Sequence, residues 1–185
     1  MAHRVCPWWV GYFLASPVRK LYQNPKAILA PYVREGTAAL DIGCAMGFFS
    51  LPLAEMVGPR GRVVCVDMQE RMLAGLRRRA GKAGLLGRIE ARLCHKDSLC
   101  LDGLEGKMDF ALAFAVLHEV PGASAFFRGV HGALSEHGKL LLAEPRGHVT
   151  EKAFAVSTSL AERIGFKIVD RPHIRLSRAA VLEKL

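Results

Sequence analysis

The chain has 185 residues, 51% of them hydrophobic, and a mean hydropathy of +0.18. That is one domain's length with apolar side chains enough for a large core, which excludes disorder, and its 18 glycines and 9 prolines follow no period, which excludes collagen-like and low-complexity classes. Lys and Arg outnumber Asp and Glu by 26 to 17, giving a net charge of +9 and a pI near 9.7, so an anionic partner is worth considering: nucleic acid, a membrane surface or an acidic metabolite.

Residues 1–35 read as an aromatic helical cap, because Trp8, Trp9, Tyr12, Phe13, Tyr22 and Tyr32 hold both tryptophans and all three tyrosines of the chain. Such a segment can close as a lid over an apolar ligand, pack on a sheet or a second copy, or dock on anionic lipid beside Arg19 and Lys20 as a peripheral membrane contact. It makes a poor signal peptide, since Pro7 and Gly11 interrupt the apolar stretch and Pro17 sits where cleavage would occur. His3 and Cys6 are too few ligands for a metal, and no metal site is expected. The five cysteines (Cys6, Cys44, Cys65, Cys94, Cys100) are odd in number and contain no C-x-x-C pair, so neither a disulfide framework nor a zinc site is written here, and a reducing cytoplasm is the simplest compartment. No apolar run reaches the roughly 18 residues that a membrane span needs.

From residue 36 onward, short apolar runs alternate with helical patterns. Runs 38–42, 62–67, 89–94, 109–115 and 139–143 suit strands covered on both faces. Between them, Met72, Leu76, Ala80 and Ala83 repeat at helical spacing, as do Phe126, Val130 and Leu134. A helix over 150–164 then leads through Gly165 to a strand at 166–171, and Pro172 and His173 turn the chain into another at 174–182. Strands joined by so short a turn cannot be parallel. The prediction for 36–185 is a doubly wound, Rossmann-like α/β sheet, mostly parallel and ending in an antiparallel hairpin.

The most informative run is Asp41, Ile42, Gly43, Cys44, Ala45, Met46, Gly47. Small residues at 43, 45 and 47 let backbone approach a ligand, and the helix that Phe48 or Phe49 opens offers its unpaired N–H groups. About twenty residues beyond Gly47, Asp67 closes the next strand, where a carboxylate can take the ribose hydroxyls of an adenosine. A dinucleotide site wants G-x-G-x-x-G; here bulky Phe48 opposes a pyrophosphate, and Asp41 suits a cationic ligand better than phosphates. A purely structural turn with a strand-end Asp is the competing reading.

These residues resemble motif I of the class I S-adenosylmethionine (SAM)-dependent methyltransferases, of the small-molecule branch similar to ubiquinone and menaquinone biosynthesis. The likeness runs in order over about 25–185 and implies a seven-stranded sheet with an antiparallel last strand. By that resemblance Asp41, Gly43, Cys44, Ala45 and Gly47 cradle SAM, Asp67 holds the ribose, and Met68 packs on the adenine. Asp97 with Ser98 would contact the adenine amino group, and Phe114 would complete the site. The run from Asp109 to Val120, with Phe114 to Glu119 inside it, resembles motif IV, and that from Leu134 to Pro145 the strand-five signature. Ala45 departs from the family's usual middle glycine, which is harmless if its φ is negative and costly if it is positive.

The resemblance implies in-line methyl transfer to a small apolar or aromatic acceptor. Such a step needs alignment and exclusion of water, while a general base depends on the acceptor's pKa. His118, Glu119 and Glu144 are the candidates for that role, with a structural hydrogen bond as the competing role for His118. No Asn/Asp-Pro-Pro-Tyr/Phe tetrad and no Pro-Cys pair follow 109–115, which disfavours amino-methylating and cytosine C5 chemistry. The segment 71–96, taken for its charge as a basic helix, carries Arg71, Arg77, Arg78, Arg79, Lys82, Arg88, Arg92 and Lys96. Charges spread round a helix read as a solvated face more than a nucleic-acid groove. An RNA or protein methyltransferase, a non-catalytic SAM-binding module and, more remotely, an NAD(P) oxidoreductase stay open, as does the oligomeric state.

Overall fold

The computed structural model describes Arg19 and residues 23–185. Trp8, Trp9, Tyr12, Phe13 and Tyr22, on which the expected cap over 1–35 rests, lie outside the described residues, as do His3 and Cys6. The described residues form two compact units, one ending at Cys94 and one running from His95 to Leu185.

The first unit contains α1 (Pro25–Leu29), β1 (Ala38–Ile42), α2 (Ser50–Met56), β2 (Arg62–Asp67), α3 (Glu70–Lys82), a 3-10 turn (Leu86–Arg88) and β3 (Ile89–Leu93). Asn24 starts α1 by accepting the N–H groups of Lys26 and Ala27, with Pro25 at the first helical position, where it forfeits no hydrogen bond. β2 pairs in parallel with β1 (Leu40 opposite Val64) and with β3 (Cys65 opposite Ala91). Leu40, Val63, Val64, Cys65 and Val66 are buried, as continuous apolar runs in a parallel sheet require. α3 presents Met72, Leu73, Leu76 and Ala80 inward, and the Met and Leu side chains each contribute about 1.5–3 kcal/mol by leaving water.

The basic helix expected over 71–96 is shorter: α3 ends at Lys82, Arg88 sits in the 3-10 turn and Arg92 lies on β3. Arg71, Arg77, Arg78 and Lys82 are exposed, as a solvated face requires, but some of the arginines also bond to the protein. Arg77 reaches Glu70 and the carbonyl of Ala91, Arg79 donates to the carbonyl of Met46, and Arg88 donates to that of Ala54 at 3.1 Å. The long guanidinium arms thus reach main-chain carbonyls on β3, in the turn after β1 and in α2.

The second unit contains β4 (Met108–Phe114), a 3-10 turn (Leu117–Glu119), α4 (Ala123–Ala133), β5 (Leu134–Pro145), α5 (Glu151–Ile164), β6 (Phe166–Asp170) and β7 (Ser177–Lys184). β4 and β5 run parallel from Phe110 opposite Lys139 to Phe114 opposite Ala143, while β7 runs antiparallel to both β5 and β6. Thr150 caps α5 by accepting the Ala153 N–H, and Gly165 ends it at φ +115°, a left-handed position open to glycine. Leu134, read from its spacing as part of a helix, instead opens β5. The returning strand starts at Ser177, not 174, because Leu176 adopts φ +64° and the Ser177 N–H closes a turn on Ile174.

The seven strands have the order β3-β2-β1-β4-β5-β7-β6 and alternate with helices, the mixed Rossmann-like sheet expected. Among the described residues no helix is long and apolar enough to cross a membrane.

Candidate functional site

In the first unit the end of β1 turns through three left-handed residues, Gly43, Ala45 and Gly47, with φ of +68°, +47° and +81°. The turn is pinned to the end of β2: the N–H groups of Gly43 and Cys44 both donate to the Val66 carbonyl, at 2.9 and 3.1 Å. Ala45 N–H donates to Asp67 Oδ2 and Gln69 N–H to Asp67 Oδ1, each at 2.9 Å. The two segments that carry motif I and the strand-end acid are therefore one hydrogen-bonded structure. The φ of Ala45 is positive, the unfavourable case, so a side chain occupies a conformation that costs an L-residue roughly 1–2 kcal/mol.

Gly47 is small for a second reason. A Cβ there would run into Leu76 Cδ1 of α3, and one on Gly75 would lie 2.8 Å from Met46 Cγ. These two glycines let α3 approach the turn, so smallness at 47 serves helix packing as well as any ligand. α2 starts at Ser50 with Phe49 as its cap, one residue beyond the expected opening. Arg19 lies over the Phe48 ring, 4.3 Å from its centroid, and Phe48 meets Phe49 edge-on.

Asp41 is 3% exposed, and Ser50 Oγ donates to its Oδ2 at 2.5 Å. Burial, only partly offset by that bond, raises the carboxyl to about 7, with nearby Asp67 adding to the rise. Asp67 is raised as well, mainly by burial, against the pull of its backbone donors. Cys44 is no nucleophile: burial, then the neighbouring Cys65 thiol, pushes it well above the usual thiol range. Met68 follows Asp67 and is half-buried.

In the second unit Ala115 takes φ +59° directly after β4 and turns the next three N–H groups toward one side chain. Val116 and Leu117 donate to Glu144 Oε1 at 3.1 and 2.9 Å, and His118 N–H donates to Oε2 at 3.3 Å. His118 Nδ1 joins Oε2 at 2.6 Å. Glu144, 2% exposed near the end of β5, thus has both oxygens occupied. Through Oε2 it holds the His118 ring. The Glu144 bond raises the His118 pKa above its ordinary 6.5, opposed by burial, with Glu119 a smaller aid. The His148 ring lies edge-on to that of His118, centroids 5.3 Å apart.

The remaining candidates also sit in this unit. Asp97 and Ser98 are exposed on a turn closed by paired backbone bonds between His95 and Ser98, while Phe114 is buried at the end of β4. Among the described residues no group of three or more His, Cys, Asp or Glu side chains could hold a metal ion. Sequence reasoning missed Ser50, Arg79 and the N–H cluster at 116–118. Ser50 is nine residues from Asp41 and no local pattern marks it; the left-handed Ala115 has no side-chain signature either.

A family model described as a methyltransferase domain matches residues 34–174, more than half of the chain. The chain belongs to the class I SAM-dependent methyltransferases. A demethylmenaquinone methyltransferase of Staphylococcus aureus is 29% identical over 112 residues, 60% of this chain and 44% of that relative, so the chain spans less than half of the curated relatives it matches. Among solved structures, a SAM-dependent methyltransferase from Aquifex aeolicus superposes with a TM-score of 0.87 at 20% identity, covering 98% of this chain and all of that one. A TehB-like SAM-dependent methyltransferase from Corynebacterium glutamicum gives 0.74 at 16% identity, over 95% and 98%. At these identities the structures establish the fold.

The residues of the first unit fit the family's cofactor. Asp41 is a buried acid with no cationic side chain paired to it among the described residues, which suits a ligand bearing positive charge. Asp67 accepts backbone N–H groups on both oxygens and retains acceptor capacity for a ribose hydroxyl. Gly43, Ala45 and Gly47 keep the wall of the turn low.

Proposed function

We propose that this chain transfers a methyl group from SAM to a small aromatic or apolar acceptor. The observation that carries the reading is the buried, cation-deficient Asp41 behind a left-handed turn that is hydrogen-bonded to Asp67. SAM supplies an electrophile already activated by its own sulfonium charge. The protein's part is to fix the two reactants and exclude water, effects that can be worth several kcal/mol.

His118 is the group for a proton. With Nδ1 donating to Glu144, the neutral ring carries its lone pair on Nε2, and the same bond strengthens it as a base. Glu144 is a positioning residue, and Glu119 adds only a more distant charge. Arg77, Arg79 and Arg88, fastened to the carbonyls of Ala91, Met46 and Ala54, leave less of the basic surface for RNA, which favours a small acceptor.

Calorimetry with SAM and S-adenosylhomocysteine tests the cofactor, and transfer of a labelled methyl group to a panel of phenols, quinols and aromatic acids tests the reaction. Micromolar binding of either nucleoside, lost in Asp67→Ala, is expected. Absence of binding at millimolar concentration overturns the reading, and binding without turnover of any acceptor returns the chain to a SAM-binding module.

A further inference from the structure

Arg178, the second residue of β7, lies directly opposite Glu144 on β5, so the two side chains leave the same face of the sheet. Opposite charges at such a position ordinarily pair. Here Glu144 is saturated by the 116–118 turn and His118, and no ion pair joins it to the guanidinium. Arg178 Nη1 is sealed from solvent with no acceptor among the described residues. A buried donor on a permanently charged group left unmet is costly, more so than a neutral one. The column behind it is apolar, Leu142 opposite Ala180 and Leu140 opposite Leu182, all buried, and offers no acceptor.

A second guanidinium lies nearby. Arg146 is fastened beside Arg178 through Nε to the Ser177 carbonyl at 3.1 Å, and His148 stands against His118 on the loop that leaves β5. The one buried acid there, Glu144, is already spent.

We propose that Arg178 is the anchor of an oxyanion subsite beside the His118–Glu144 pair, so that the methyl acceptor carries a carboxylate or a phosphate ester. The guanidinium fork suits either group, binding it through two parallel N–H donors. This rests on the methyl-transfer reading for the word acceptor; anion binding at Arg178 stands without it.

The test is calorimetry on the full chain with benzoate, phenyl phosphate and neutral benzamide, each with and without S-adenosylhomocysteine. At least one anion should bind the wild-type chain in the millimolar range, with benzamide about tenfold weaker or worse; which anion binds distinguishes carboxylate from phosphate ester. Arg178→Met should abolish anion binding, and Arg178→Lys, which keeps the charge and loses the fork, should weaken it about tenfold. S-adenosylhomocysteine affinity should not change in either variant, which also reports that they fold. Anion binding unchanged in both variants, benzamide binding as tightly as benzoate, or no anion binding to the wild-type chain overturns the proposal. Loss of S-adenosylhomocysteine binding by the wild-type chain would instead overturn the methyltransferase reading.

Discussion

Ser50 Oγ donates to Asp41 Oδ2 at 2.5 Å in an otherwise closed interior, and it is the hydrogen bond that holds Asp41 down against burial. Even so the carboxyl is raised from 3.8 to about 7. Between those values the folded chain keeps a proton that the unfolded chain has released, so stability falls as pH rises from about 4 to 7, by an amount on the order of 4 kcal/mol. Denaturant titrations across that range should show the decline, and Asp41→Asn should flatten it while weakening SAM binding at pH 8. A slope that survives in Asp41→Asn assigns it to another group.

Removing the hydroxyl acts in the opposite sense on the same carboxyl. Ser50→Ala should push Asp41 higher still and cost about 1.5–3 kcal/mol of stability above neutrality, as loss of a hydrogen bond to a charged group does. The pH midpoint for SAM binding should move upward, read by calorimetry across pH. A midpoint that stays put would mean that Asp41 is not the group linked to binding.

Ala45→Gly replaces a left-handed alanine. Relief of about 1–2 kcal/mol of backbone strain is offset by about 0.4–1 kcal/mol of extra chain entropy in the unfolded state, leaving a gain of up to about 1.6 kcal/mol. A rise of a few degrees in Tm is expected, with the Ala45 N–H bond to Asp67 intact. A lower Tm would show the strain to be smaller than its φ implies.

Gly75→Ala tests the close approach of α3. Helix propensity alone favours alanine by about 0.5–1 kcal/mol. Against that, the added carbon presses on Met46, and overpacking of about 1–3 kcal/mol should win. Urea midpoints measure the difference, and stabilisation would mean that Met46 swings aside without cost.

Glu144→Gln keeps the shape and removes the charge that raises His118. The amide turns N–H toward at least one of four donors, so the chain should lose about 2–4 kcal/mol. Stability from the charged His118–Glu144 pair is present below pH 6.5 and is lost as pH rises through the raised folded value, so the loss should be largest at acidic pH. NMR titration of His118 should show its midpoint falling in the variant, and the acid limb of kcat should shift down with it.

The alternating runs and their order were legible because hydrophobic period and punctuation are local properties, and Gly43, Gly47 and Asp67 marked by their spacing a turn and a strand-end acid that the structure joins. Charge was less legible. Arg79 and Arg88, read from spacing as part of an outer face, are tethered to the carbonyls of Met46 and Ala54, 33 and 34 residues away, because which carbonyl an arm reaches depends on how the elements pack. The same holds for Glu144, whose candidacy as a reactant came from its place at a strand end. Its occupation by three N–H groups follows from a left-handed Ala115 that no side chain declares.

By itself the sequence determined the alternation of strands and helices and the antiparallel ending, because these follow from periodicity and turn length, and it carried the family's likeness in its motifs. Only the tertiary structure decided the sign of φ at Ala45, the bond from Ser50 to Asp41, and the fact that Arg178 faces a carboxylate already taken. Each of those is a meeting of groups distant in the chain or a backbone angle set by packing, and neither quantity is encoded in local pattern. The net charge of +9 divides in the same way: its size is read from the chain, whereas which cation lacks an anion is settled by β5 and β7 lying side by side.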